Sequence, residues 1–108
     1  MTVNELKEKA ELKVFCMPQP GLEVQGAYCG DLLSWVMGRA EEGNIWLTIM
    51  SNQNVAAVAV MADLSCIILT EDVAPDPQLL ERAEKEGLNL LGTPLSTYEA
   101  AAAVSQTI

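Results

Sequence analysis

Asp31, Ser51, Asn52, Asn54, Thr70, Thr93 and Ser96 each stand just past an apolar, β-rich run and just before a helix-like segment. That placement suits one kind of chemistry. Hydroxyls, carboxamides and the unpaired amides of helix N-termini can hold a small polar or phosphorylated metabolite, because the first helical turn leaves N–H groups free and carries partial positive charge. Taken singly, each of these residues is better suited to capping its helix. Only their convergence on one edge of a sheet makes them a candidate site.

Other chemistries find less support in the residue types. The chain has no histidine, so Ser34, Ser51 and Ser96 would need a lysine or carboxylate as base, and no lysine stands near any of them. No catalytic residue is assigned. Cys16, Cys29 and Cys66 form no CxxC pair and, without histidine, no zinc set; in β-rich runs they read as small buried hydrophobes. No metal and no cofactor are expected. Glu41-Glu42 and Glu71-Asp72 could hold a cation, although adjacent acids in loops more often form a solvated surface. The segment Gly38-Arg39-Ala40-Glu41-Glu42-Gly43 has two glycines at P-loop spacing but lacks the Lys and Ser/Thr that touch phosphate and Mg²⁺. It reads as a helix-ending turn. Gly26-Ala27-Tyr28-Cys29-Gly30 is likewise no dinucleotide fingerprint.

The elements that must position the polar edge follow from hydrophobic pattern and punctuation. Strands are expected at Lys13–Cys16 and at residues 26–29, 44–50, 65–70 and 89–92, with helical segments between or after most of them. Thr2 three residues before Glu5, and Ser96 three before Glu99, are capping-box patterns for a first and a last helix. Asp31 is a plausible N-cap for a helix ended by Gly38 or Gly43, and Asp76-Pro77 opens a helix that Gly87 stops. Residues 65–70 are continuously apolar, as in a central parallel strand buried on both faces. The expected architecture is α/β: a three-layer open sheet, mainly parallel, of about five strands with flanking helices.

At 108 residues the chain has room for one domain, taken as residues 1–108. Fifteen acidic residues against six basic give a formal charge of −9, which disfavours nucleic acid and anionic membranes as partners. No apolar stretch approaches the roughly 20 residues of a membrane span, and the opening residues lack a basic region followed by an apolar core. A cytoplasmic location is expected. Residues 55–61 are apolar on nearly every side, so their helix is expected between the sheet and something else. With Trp35 and Trp46, this is more apolar surface than so small a domain readily buries, and a homodimer is expected through that helix and the tryptophans.

Gly30-Asp31-Leu32-Leu33-Ser34-Trp35-Val36-Met37, Glu42-Gly43-Asn44-Ile45-Trp46-Leu47-Thr48 and Asn54-Val55-Ala56-Ala57-Val58-Ala59 carry a further message, continued by Ile67-Ile68-Leu69-Thr70-Glu71 and Gly92-Thr93-Pro94-Leu95-Ser96-Thr97-Tyr98-Glu99. In order and spacing they resemble the stand-alone DRTGG-domain proteins over nearly the whole chain. The resemblance implies an α/β domain similar to the N-terminal domain of HPr kinase/phosphorylase. The same domain occurs as a non-catalytic part of some phosphate acetyltransferases and CBS-domain pyrophosphatases, whose chemistry lies in other domains. The Asp-Arg-Thr-Gly-Gly string that names the family does not occur here, and the corresponding turn is Ser51-Asn52-Gln53-Asn54. A kinase label does not carry over, because the P-loop is absent.

The function expected from residues and resemblance together is a non-catalytic regulatory or ligand-sensing domain, paired with itself and beside a metabolic enzyme or regulatory protein. Its ligand would sit at the C-terminal strand ends. A purely structural assembly module is the first alternative, and a small phosphotransfer-related enzyme the second.

Overall fold

The continuously apolar strand takes the middle of the sheet. A computed structural model describes residues 1–108, with the elements α1 (Val3–Lys9), β1 (Lys13–Cys16), β2 (Ala27–Cys29), α2 (Leu33–Arg39), β3 (Ile45–Thr48), α3 (Asn54–Met61), β4 (Cys66–Leu69), α4 (Pro77–Glu86), β5 (Leu90–Gly92) and α5 (Thr97–Thr107). Strand order is β1-β5-β4-β3-β2. Strands β2 to β5 are mutually parallel in chain order, and β1 closes one edge antiparallel to β5.

That order decides where the helices go. Successive parallel strands added in one direction through right-handed crossovers put every crossover helix on the same face. Accordingly α2, α3 and α4 cover one side, packing on Trp46, Ile67, Leu69 and Leu90, while α1 and α5 cover the other, packing on Ile45, Leu47, Cys66, Ile68 and Leu91. The alternation of side chains along β3 and β4 feeds both cores, so neither strand can carry a polar face. The three-layer, mainly parallel architecture is as the sequence implied.

Local signals explain most element ends. Both capping boxes form, Thr2 with Glu5 and Ser96 with Glu99. Helix α4 starts with Pro77 and ends at Gly87 in the left-handed region (φ 71°), a conformation glycine adopts at little cost. Of the two glycines expected to end α2, Gly38 is not the stop; the helix closes at Arg39 with Ala40 as its C-cap. Gly38 lies inside α2, and the turn belongs to Gly43 (φ 82°). Strand β3 is shorter than residues 44–50 because the Ile49 amide leaves the ladder for the Asp31 carboxylate, 3.0 Å away.

The apolar helix α3 is accounted for within the chain. Val55, Ala56, Val58 and Ala59 are buried in the first core, and α2 and α4 flank the helix; only Val60 (44%) and Met61 (72%) are markedly exposed among its larger side chains. Trp46 is fully buried, its indole N–H donating to the Gly30 carbonyl at 2.8 Å. Trp35 is half exposed, and the Arg39 guanidinium lies over its ring at 3.7 Å. Less apolar surface therefore remains for a partner on this face than composition suggested.

Burial of Cys66 has a measurable consequence. The low-dielectric core pushes its thiol from an ordinary 9.0 up to about 12. The unfolded chain loses this proton near pH 9 while the folded chain keeps it, so stability should be undiminished below pH 9 and fall above it by about 1.4 kcal/mol per pH unit. Urea titrations between pH 8 and 11 should show a shallower slope in Cys66→Ala than in wild type, the remainder coming from Cys16 and Cys29, whose thiols burial also shifts upward.

Candidate functional site

The carboxyl ends of β2 to β5 collect the polar residues singled out from the sequence, and the structure gives each of them a bonding partner or a place. Asp31 is exposed and caps nothing: the N-cap of α2 is Leu32, without a side-chain hydrogen bond. Instead its carboxylate accepts from the Thr48 hydroxyl at 2.8 Å and from the Ile49 amide, tying the end of β2 to the end of β3. Thr48, fully buried, also accepts from the Met50 amide at 3.2 Å. It is a site residue the sequence reading passed over, being hidden at the end of an apolar run.

The turn after β3 is a local cap. The Asn52 carboxamide oxygen accepts from the Asn54 amide at 2.9 Å, and the Asn52 carbonyl from the Val55 amide at 3.1 Å. The Asn54 side chain is exposed. Ser51 reaches further, donating its hydroxyl proton to Asp76 at 3.2 Å while its carbonyl accepts the Asp76 amide at 3.0 Å. Asp76 was expected to cap α4 with its carboxylate. It makes no such bond, and Ser51 takes the carboxylate instead.

Thr70, Thr93 and Ser96 are brought together at the ends of β4 and β5. Helix α4 follows β4 onto one face and α5 follows β5 onto the other, so the two connecting loops part over a topological switch point. The parting is laced rather than open. The Thr70 and Thr97 hydroxyls share a proton contact at 2.6 Å, the Glu71 amide donates to the Leu95 carbonyl at 2.8 Å, and the Asp72 amide donates to the Thr93 carbonyl at 3.0 Å. Thr93 further accepts the Leu95 amide on its hydroxyl at 3.2 Å, and Ser96 caps α5. The first-turn amides of Thr97 and Tyr98 are left facing outward without an acceptor in the chain.

Backbone strain concentrates here. Glu71 and Asp72 adopt φ of 59° and 60°, consecutive left-handed residues with side chains. Such a conformation costs an L-residue with a Cβ about 1–2 kcal/mol, least for Asp. Glu71→Gly should therefore raise stability by about 1 kcal/mol, read as a higher urea midpoint at unchanged slope. An unchanged or lower midpoint would show that the loop carries no such strain.

Electrostatics set the kind of ligand this edge accepts. Asp31, Glu71, Asp72, Asp76 and Glu99 stand on it, and the loops after β2, β3, β4 and β5 hold no lysine or arginine. A bare phosphate would meet like charge. Leu32, Ile49, Leu95 and Tyr98, the last 83% exposed, add apolar and aromatic surface beside the same loops. Such an edge suits an amphipathic ligand with a flat apolar part, whose phosphates arrive already neutralised by a divalent cation.

An open α/β domain whose flanking helices change face between β4 and β5 brings its polar loops together there, which is by itself no evidence of a reaction. The comparisons with known proteins make the class specific. The DRTGG domain model matches residues 29–107, and the chain belongs to that family. Among solved structures, the CBS and DRTGG domains of the regulatory region of Clostridium perfringens pyrophosphatase, complexed with the activator diadenosine tetraphosphate, share the fold: TM-score 0.79 and 14% identity over 99% of this chain. This chain spans about half of that one, 47%. No curated protein matches the sequence. No helix is long and apolar enough to cross a membrane.

Proposed function

We propose that this chain is a non-catalytic regulatory domain that senses a small phosphorylated metabolite at the adjoining loops after β4 and β5. The observation that carries the proposal is the match of nearly the whole chain to a DRTGG-containing regulatory region, in a protein solved with a dinucleoside polyphosphate activator. These loops supply what such a ligand would use: the unpaired amides of Thr97 and Tyr98, the exposed Tyr98 ring, and carboxylates at Glu71 and Asp72 for a bridging cation. The domain works as a homodimer and hands its ligand state to a metabolic enzyme or regulatory protein partner. Ligand would act by loosening or tightening the threonine and amide contacts that lace the loops, since these contacts join α4 on one face to α5 on the other.

A thermal-shift screen against adenine nucleotides, diadenosine tetraphosphate and acetyl phosphate, each with and without Mg²⁺, tests this reading. A ligand at 100 times its dissociation constant adds about 2.7 kcal/mol of stability, a shift of several degrees in a domain this size. Stabilisation by a nucleotide only in the presence of Mg²⁺, and its loss in Tyr98→Ala, is the expected result. Absence of any hit would favour a purely structural assembly module.

A further inference from the structure

We propose that the open edge of β2, with the apolar groove beside α5, is the surface on which a second copy of this chain docks, β2 running antiparallel to its counterpart so that two sheets become one. The inference rests on the paired reading above and gives it a location. Only one edge of the sheet is guarded. At β1 the register shifts between Val14 and Cys16, and Lys13 stands exposed over the Phe15 ring, two devices that discourage another strand from adding there. Strand β2 has neither. In its parallel pairing with β3, the Gly26 carbonyl accepts from the Ile45 amide and the Gly30 amide donates to the Leu47 carbonyl, which turns the backbone groups of Ala27 and Cys29 outward with no strand beyond them.

Those outward groups are self-complementary. Two N–H and two C=O groups spaced along three residues match the same set on a second copy related by a two-fold axis, with Ala27 opposite Cys29 of the other chain. Side-chain size favours the same contact. Ala27 and Cys29 are exposed and small, and they leave a cavity of about 240 Å³ between β2 and α5, bordered by Leu47, Ala101, Val104 and Ile108. A two-fold axis through β2 sets the two cavities side by side on the same face of the joined sheet.

Charge restricts where two copies of this chain can meet. Two molecules each carrying −9 repel at any acid-bearing surface, and the carboxyl edge bears Asp31, Glu71, Asp72 and Asp76 while the opposite edge bears Glu23, Glu41, Glu42 and Asp63. The lining of the β2 groove contains no charged residue.

Sedimentation velocity on wild type, Ala27→Lys, Cys29→Lys and Met61→Glu tests the assignment. Both edge lysines occupy exposed positions and spare the β2–β3 ladder, so circular dichroism should stay native. The wild type and Met61→Glu should sediment as dimers, and each edge lysine should weaken the dimer at least 10-fold. Dimers that survive both lysines but dissociate in Met61→Glu would overturn the β2 assignment and move the interface to α3. A monomeric wild type at high concentration would instead overturn the paired reading itself.

Discussion

Val58→Glu is expected to unfold the domain outright rather than to split a dimer. The sequence alone places this helix at a homodimer surface, where a charge would separate two copies and leave each folded. In the structure Val58 is 8% exposed and belongs to the core formed with Trp46, Ile67 and Leu79. An ionised carboxylate there would have no cationic partner, since α3 carries no basic residue and none is buried in that core. The cost of an unpaired buried charge, or of holding the acid neutral in its place, exceeds about 4 kcal/mol, comparable to the whole stability of a small domain. Far-ultraviolet circular dichroism and a urea titration should show no cooperative transition. Met61→Glu on the exposed side of the same helix should unfold within about 0.5 kcal/mol of wild type. Equal tolerance of the two substitutions would mean that α3 does not pack as described.

Asn89→Leu should cost about 3 kcal/mol, although the replacement is more apolar and the site is 98% buried. Asn89 sits just before β5 and serves as a three-way tie. Its oxygen accepts the Gln19 amide at 3.0 Å, and its nitrogen donates to the Gln19 carbonyl at 2.8 Å and to the Ser65 carbonyl at 3.0 Å. The tie holds the Pro-rich loop between β1 and β2 against the amino ends of β4 and β5. Leucine would strand one donor and two acceptors, and unpaired buried polar groups cost more than the hydrogen bonds themselves contribute. Gln19→Ala is the control: the main-chain partners of Asn89 remain and only an exposed side-chain bond to the Gly87 carbonyl is lost, so its cost should stay below about 1 kcal/mol. A Gln19→Ala loss as large as that of Asn89→Leu would point to the loop side chain rather than the buried carboxamide.

Much of the fold was legible because local and global signals agree. The run through Cys66-Ile67-Ile68-Leu69 has no polar face, which only a strand covered on both sides tolerates, and β4 is central. Thr2/Glu5 and Ser96/Glu99 carry their partners within one turn, so both boxes form as read. Asp31 and Asp76 mark where that legibility stops. Each reads as an N-cap in the sequence, but Asp31 lies one residue before the cap and finds Thr48, and Asp76 finds Ser51, partners that only the assembled sheet brings within reach. Trp46 and α3 misled for a related reason. Apolar composition gives the amount of surface to bury but not the neighbour that buries it, and here α2, α4 and the sheet suffice for most of it.

The candidate site was half legible. That polar residues gather at strand ends follows from the alternation of elements, and Thr70, Thr93 and Ser96 do meet. Which pair of loops leads to opposite faces of the sheet depends on how α4 and α5 pack, and no single segment encodes that. The acidity of the edge, with carboxylates from the loops after β2 and β4 and the start of α5, likewise emerges only when the loops are assembled.

The most direct measurement is a titration of the ¹⁵N-labelled domain with magnesium-bound diadenosine tetraphosphate, followed amide by amide. Binding at the loops after β4 and β5 should move the amides of residues 70–76 and 93–98 first, while the β2 edge and the Pro-rich loop stay in place, and Tyr98→Ala should abolish the shifts. Saturating shifts confined to another surface, or none at millimolar ligand on a folded protein, would contradict the assignment of a sensing site to the β4–β5 switch point.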